Sequence, residues 1–292
     1  MNKVKIFKSE EIYIDDVLVE SVPETLFQEN TYDDSGNVIS EKTYNLETGE
    51  IEMGRDLTYN SNNKIIKEVS YGSLEASQES EFVYDSNLLL EEKHFFDGYF
   101  QEHLVHHYDE FGNKVKSDSL DEFGELDEQK IYHYNNDNTL KSIENVYDDG
   151  ERNLEIKHEY DENQNVTKTI YYTLEEKEIV TNMEYYNSRL VYREVINEFN
   201  SIQETDTNTF DNLNRLIKAV HTEPDVHLTT IYEYLNDTNM IANHKIYDGN
   251  GLLIVDSTRK YNENNSLCEQ YTTRYNYALN RKIIEVLKIN YE

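Results

Sequence analysis

The chain is made of short runs in which apolar and polar side chains alternate, as in Leu104-x-His106-x-Tyr108 and Ile156-x-His158-x-Tyr160. Alternation of period two predicts strands, because successive side chains leave a strand on opposite faces. A helix would need apolar residues three and four apart, and these runs do not supply them. Turn-forming Gly, Asn and Asp punctuate the chain about every 12 residues, leaving segments of about eight between them, a common strand length.

The punctuation repeats. Aligned on a recurring aromatic, the chain gives anchors at Tyr32, Tyr59, Tyr84, Tyr108, Tyr134, Tyr160, Tyr185, Phe210, Tyr234 and Tyr261, spaced 24 to 27 residues apart. A fixed period of this length marks a repeat protein whose units bury their faces only against their neighbours. Four residues after the anchor stand Gly36, Asn63, Gly112, Asn138, Asn214 or Asn265, residue types that tolerate the positive φ of a tight turn. Six residues after it comes an apolar side chain: Val38, Ile65, Leu90, Leu140, Val166, Val191, Leu216, Met240 or Leu267, with Lys114 the exception. A second set of turn residues falls near the midpoints, at Gly49, Gly72, Gly98, Gly124, Gly150, Asn200, Pro224 and Gly249. The period frays at Asp85-Ser86-Asn87-Leu88, where the turn is one residue shorter, and at Tyr185-Tyr186, where either tyrosine fits as anchor.

The expected fold is all-β: an elongated, twisted or curved single sheet of about 20 antiparallel strands, built from tandem β-hairpins of about 25 residues. Residues 1–30 are expected to form N-terminal capping strands, residues 31–273 about ten repeats, and residues 274–292 a C-terminal cap, a hairpin rather than a short helix.

Tyr32-Asp33-Asp34-Ser35-Gly36-Asn37-Val38 and the stretch from Tyr108 to Val115 resemble the YD repeat of the Rhs family, as does Tyr-x-Tyr before the turn in Tyr132-His133-Tyr134 and Tyr232-Glu233-Tyr234. The resemblance covers about residues 30–270. It implies a strip of hairpins and a link to bacterial toxin systems, since Rhs proteins curl such strips into a shell around a toxin domain. This chain is far shorter than a shell, lacks the usual Arg after the turn Gly and carries no separate toxin domain, so encapsulation is not implied. A looser likeness joins it to MORN-type hairpin repeats, which are tandem binding strips.

Composition adds a sign to this picture. Fifty-nine acidic residues against 27 basic ones give a net charge of −32. Sequence-independent binding to nucleic acid or anionic lipid needs a positive field, so neither is expected as a direct partner. The mean hydropathy is −0.83, yet 25 Tyr and 10 Phe place the apolar share in strand formers, which disordered chains lack. One cysteine, Cys268, excludes an internal disulfide. No run has signal-peptide character or approaches the roughly 18 apolar residues of a membrane span. A cytoplasmic protein, monomeric when free, is expected.

Candidate chemistry is sparse. His94, His103, His106, His107 and His133 cluster in sequence, and His103 with His106 or His107 could meet His133 of the next repeat around a metal. His106 and His158 also stand where Leu57, Phe82, Tyr132 and Met183 stand in other repeats, which reads as polar substitution in a ladder of side chains. Asp161-x-Asn163-x-Asn165 opens like a calcium loop, but Val166 and Tyr172 occupy the positions that need Gly and Glu. No phosphate loop, nucleophile elbow or zinc spacing occurs. No catalytic residue, cofactor or metal site is therefore assigned, and no enzymatic activity is expected. The acidic surplus with Tyr99, Tyr171, Tyr172 and Tyr192 as aromatic anchors points to a protein partner. The expected role is that of an immunity protein neutralising a basic bacterial toxin. The alternatives are a shell or adhesin-like element assembling through its ends and an acidic mimic of nucleic acid.

Overall fold

A computed structural model describes residues 3–72, 77–147, 149–173, 175 and 177–292. Among them are 22 strands, all antiparallel where paired, and one 3-10 turn. In chain order, the first four are β1 (Lys3–Ile14), β2 (Val17–Tyr32), β3 (Val38–Tyr44) and β4 (Ile51–Tyr59). Next come β5 (Ile65–Gly72), β6 (Gln78–Asp85), β7 (Leu88–Phe96), β8 (Tyr99–Tyr108), β9 (Lys114–Leu120) and β10 (Leu126–Tyr134). They are followed by β11 (Leu140–Tyr147), β12 (Arg152–Tyr160), β13 (Val166–Tyr172), β14 (Glu178–Tyr186), β15 (Arg189–Ile196) and β16 (Ile202–Phe210). The last six are β17 (Leu216–Glu223), β18 (Val226–Tyr234), β19 (Ile241–Tyr247), β20 (Leu253–Tyr261), β21 (Leu267–Asn276) and β22 (Arg281–Tyr291). The chain divides into two compact units, Met1–Arg55 with Thr205–Glu292, and Asp56–Glu204.

In the second unit the strands from β5 to β15 pair in chain order. In the first, β16 to β22 pair in the same way, and β1, β2 and β3 continue the ladder. One pairing changes the expected elongated strip, because the segments expected as N-terminal and C-terminal caps join each other. β1 runs antiparallel to β22, from Val4 opposite Tyr291 to Ile14 opposite Arg281. Lys3 and Glu292 exchange backbone hydrogen bonds at the end of that ladder. The physical reason is the one that motivated caps: a terminal strand with one free edge exposes a row of unpaired N–H and C=O groups. Here the two terminal strands satisfy each other. The tail folds as a hairpin, β21 and β22 joined by the 3-10 turn Tyr277–Leu279.

The anchors sit where the ladder changes register. A bulge falls immediately before Tyr32, Tyr84, Tyr108, Tyr134, Tyr160, Tyr185, Phe210, Tyr234 and Tyr261, which identifies Tyr185 rather than Tyr186 as anchor. The usual partner is the residue six positions on, as in Tyr108 opposite Lys114 and Tyr134 opposite Leu140. The turn after Tyr84 is one residue shorter, with Leu89 as partner, and the turn after Tyr234 one longer, with Ile241. Those length changes displace Leu90 and Met240 from the pairing position. Val191 is displaced likewise, because Leu190 faces Tyr185.

Several of the anchor hydroxyls then reach back one repeat, whereas that of Tyr185 donates to Met183 Sδ at 3.7 Å. Tyr108 donates to the Leu89 carbonyl at 2.7 Å, Tyr134 to Lys114 at 2.9 Å and Tyr160 to Leu140 at 2.6 Å. Tyr234 donates to Leu216, Tyr261 to Ile241 and Tyr291 to Leu267 in the same manner. In every case the acceptor is the residue that faces the preceding anchor across its bulge.

The turns repeat their own chemistry. Asp109 Oδ1 accepts the backbone N–H of Phe111 and of Asn113, and its Oδ2 accepts from the Asn113 amide. Asp33, Asp161 and Asp211 repeat the two backbone bonds, and Asn60, Asn197 and Asn262 make them with an amide oxygen. Gly36, Asn63, Gly112, Asn138, Asn214 and Asn265 all have positive φ, as their residue types foretold. The midpoint signals are less regular. Gly72 ends β5, with the turn after it outside the described residues, and Gly251 rather than Gly249 has positive φ.

Little of the chain is deeply buried. Among the described residues the buried apolar side chains are Val4, Ile12, Leu57 and Ile170, and the buried polar ones include His106, Ser117, Thr169, Ser257 and Thr272. A fold with so few buried hydrophobes leans on ladder bonds and on the tyrosine hydroxyls. Replacing Tyr108, Tyr134 and Tyr160 together by Phe removes three such bonds at about 1 kcal/mol each. The urea midpoint is expected to fall, with the same strand content by circular dichroism.

Acid should loosen the turns. Hydrogen bonds, led by the Asn37, Asn113 and Asn165 amides, hold the carboxyls of Asp33, Asp109 and Asp161 below their ordinary value. The folded chain therefore binds fewer protons there than the unfolded chain. The stabilisation is complete above the unfolded value of about 4 and is lost as pH falls through the folded one. Changing the three to Asn keeps the backbone acceptors, so the variant should lose stability less steeply between about pH 5 and pH 2 in urea titrations.

Candidate functional site

The histidines divide by strand face. On β8, His106 shares a face with the anchor Tyr108, while His103 and His107 alternate to the other. On β10, His133 likewise lies opposite the face of Tyr134. The faces therefore separate His106 from His103, His107 and His133, and among the described residues none of these histidines belongs to a group of ligand atoms close enough to share an ion. Each of the three outliers has its own carboxylate: His103 with Glu91 at 3.0 Å, His107 with Asp118 at 2.8 Å and His133 with Glu144 at 3.4 Å.

What the fold does assemble is a polar chain on the tyrosine face of the second unit. Ser80 Oγ lies 2.8 Å from His94 Nδ1, and His94 Nε2 lies 3.7 Å from Glu92. The other Glu92 oxygen is 2.7 Å from His106 Nε2, and His106 Nδ1 is 2.8 Å from Ser117 Oγ. Tyr132 OH stands 3.5 Å beyond. These groups come from β6, β7, β8, β9 and β10, and ladder register places Ser80 opposite His94 and His106 opposite Ser117. Glu92, His106, Ser117 and Tyr132 border a cleft of about 300 Å³ that Glu102, Lys114, Ser119, Glu128 and Lys130 also line.

The His106 side chain is 2% exposed. Burial pushes its imidazole below the ordinary value, against the opposing pull of the hydrogen-bonded Glu92. A serine, an imidazole and a carboxylate in series resemble a nucleophile with its base. Ser117, however, is buried and lies mid-strand with its neighbours Lys116 and Asp118 in register with β8 and β10. The backbone on either side of Ser117 serves the ladder rather than an oxyanion.

The anticipated binding tyrosines scatter. Tyr99 opens β8 and is 73% exposed, and Tyr171 near the end of β13 is also exposed. Tyr172 and Tyr192 are half-buried, and the Tyr192 hydroxyl donates to Glu194 at 3.0 Å. Of the four, Tyr99 has the most distinctive surroundings. It follows the two-residue turn Asp97–Gly98, opposite Phe96. Two strands on, the turn between β9 and β10 presents Phe123, 80% exposed. A shallow cleft of about 610 Å³ near these turns is lined by Phe100, Gln101, Glu102, Ser119, Leu120, Asp121, Glu122 and Asp127, four carboxylates and no cation.

Phe123 escaped the sequence reading, although a signal was present. Asp121-Glu122-Phe123-Gly124 copies Asp109-Glu110-Phe111-Gly112, and Asn197-Glu198-Phe199-Asn200 is a third version. All three build the same turn, with Asp121 and Asn197 accepting the N–H of the phenylalanine. Their phenylalanines are 72%, 80% and 71% exposed. The turn needs its Asp or Asn and its positive-φ residue, whereas nothing in its hydrogen bonding requires an exposed phenyl ring.

No protein-family model and no curated protein matches the chain. Among solved structures, the crystal structure of TcdB2-TccC3-Cdc42 is 11% identical over 92% of this chain and 18% of that one, with a TM-score of 0.41. The Photorhabdus luminescens Tc holotoxin pore is 9% identical over 92% of this chain and 21% of its own, with a TM-score of 0.32. A porin-like protein from Bacteroides uniformis is 11% identical over 100% and 96% of the two chains, with a TM-score of 0.29. The chain thus spans less than a quarter of the toxin chains it matches.

Burial likewise lowers the affinity of His158 and His244 for a proton. In an NMR titration His106, His158 and His244 are each expected to protonate below pH ~6.5, the ordinary histidine value. Protonation of His106 at or above that value would contradict the buried geometry.

Proposed function

We propose that the protein is a binding module for a strongly basic protein, gripped at the turn edge that carries Tyr99 and Phe123. The single observation that carries this reading is the pairing of two exposed aromatic rings with a cleft lined by Glu102, Asp121, Glu122 and Asp127. Aromatic rings supply contact area at low entropic cost, and an unopposed set of carboxylates selects Lys and Arg on the partner.

The wider charge distribution supports it. Cations along the strands are taken up in local pairs, among them Lys67 with Glu79, Lys93 with Glu91, Lys116 with Asp118 and Lys130 with Glu155. With 59 acidic residues against 27 basic ones, the surplus facing solvent is carboxylate. The specific form of the proposal is an immunity protein for a basic bacterial toxin, the role that the YD-type turns suggest through their resemblance to the Rhs family. End-to-end assembly fits less well, because β1 has a partner on each side.

The test is affinity capture from the native host followed by titration of the purified partner. The expected partner is basic, and its affinity should fall at least about tenfold between 50 and 200 mM salt, as for steered charged pairs. Tyr99→Ser with Phe123→Ser should cost at least a further 2 kcal/mol or so, a hot-spot magnitude. Co-expression should protect a cell from that partner. A neutral or acidic partner, or one indifferent to both salt and the double substitution, would refute the reading.

A further inference from the structure

β2 is much longer than the strand beside it. It runs for 16 residues, but β3 pairs only with residues 28–32 at its far end. Among the described residues, positions 17–27 have β1 on one side and no strand on the other. An open strand edge presents backbone N–H and C=O groups with which another extended chain can pair. Val19 adds to them, as the extra residue of a bulge between Leu18, opposite Tyr13, and Glu20, opposite Ile12. The open stretch is interrupted at Pro23, which has no N–H and lies where the register shifts again between Val22 and Thr25.

The side chains of this edge are apolar and uncovered. Val17, Leu18 and Val19 are 63%, 49% and 54% exposed. Consecutive strand residues such as Val17 and Leu18 leave on opposite faces, so both faces are open here. The 3-10 turn adds Tyr277 and Leu279, also exposed, and is tied to the hairpin tip by the Asp15 N–H, which donates to the Asn280 carbonyl at 3.1 Å. Apolar surface thus surrounds backbone groups in need of a partner.

Charge selects the occupant. Residues 15–24 include Asp15, Asp16, Glu20 and Glu24 and no basic residue. Lys282 stands 3.7 Å from Asp16 and Lys288 meets Glu24, while Glu20 has no cation partner among the described residues. A second copy of the chain would bring the same carboxylates, and a second net charge of −32, against this edge. A cationic strand would instead set Lys or Arg beside Glu20 and its apolar residues on Val17, Leu18 and Val19. We propose that residues 17–22 of β2 accept, as an added strand, an extended cationic segment of the basic protein partner. The proposal rests on the basic-partner reading above but uses a surface of the first unit, whereas Tyr99 and Phe123 belong to the second.

The test adds to the full chain a synthetic peptide of about eight residues that alternates Lys with Val, near the usual strand length. It is expected to bind and to protect the amides of residues 17–22 from deuterium exchange. The same peptide methylated at every backbone nitrogen keeps its positive charge but cannot donate to a strand, and should bind at least about tenfold more weakly. Val17→Lys with Val19→Lys, both at exposed positions and checked for native circular dichroism, should weaken binding of the peptide and of the captured partner at least about tenfold. The same two charges placed by Phe111→Lys with Leu213→Lys should change either affinity less than about twofold. The inference is overturned if the methylated peptide binds as well as its parent, if residues 17–22 stay unprotected, or if those amides are already protected by dimerisation of the free chain. A partner that loses affinity with Tyr99→Ser and Phe123→Ser, but not with the two lysines on β2, overturns this inference alone and leaves the turn-edge reading standing.

Discussion

At the bulges of Tyr108, Tyr134, Tyr160, Tyr234 and Tyr261 the anchor tyrosine gives its hydroxyl proton to a carbonyl one repeat earlier. Tyr108 to Leu89, Tyr134 to Lys114 and Tyr160 to Leu140 form a relay in which every acceptor faces the previous anchor. Much else follows from that bond. It half-buries the ring while its polar end finds a partner, the role to which tyrosine is suited. It also adds a side-chain tie between paired strands, β7 with β8, β9 with β10 and β11 with β12, in a chain with few buried hydrophobes among the described residues. The terminal strand joins the same scheme through Tyr291 and Leu267, where β22 also meets β1.

Much of the fold was legible because period, turn chemistry and strand alternation are local properties. Asp at the first turn position and Gly or Asn at the fourth can be read from Tyr108-Asp109-Glu110-Phe111-Gly112, and the structure uses both as that reading requires. The partnership of β1 with β22 was not legible. It joins residues at opposite ends of the chain, and no local pattern encodes which edge a terminal strand will find. The same limit hid the polar chain. His94 and His106 are visible in the sequence, but Glu92 becomes their common partner only through the register of β7 against β8. Reading strand alternation more strictly would have separated His103 and His107 from His106 without a structure.

The two clefts of the second unit divide the chemistry by position. The strand face carries the satisfied, half-buried groups around His106, whereas the turn edge carries exposed rings and carboxylates without cations. In repeat proteins the ladder is common to every unit, so individuality falls to what the turns and alternate positions display. Phe111, Phe123 and Phe199 show this directly. Their turns are interchangeable in hydrogen bonding, and the exposed ring is an addition to the structural minimum.

Hydrogen–deuterium exchange resolved strand by strand tests the central claim, that hydrogen-bonded ladders run unbroken through the terminal strands and hold a fold with a small core. The amides of β1 and β22 should be protected comparably to those of β10, which has a partner on both sides. Rapid exchange throughout β1 and β22, with protection confined to the interior repeats, would contradict it.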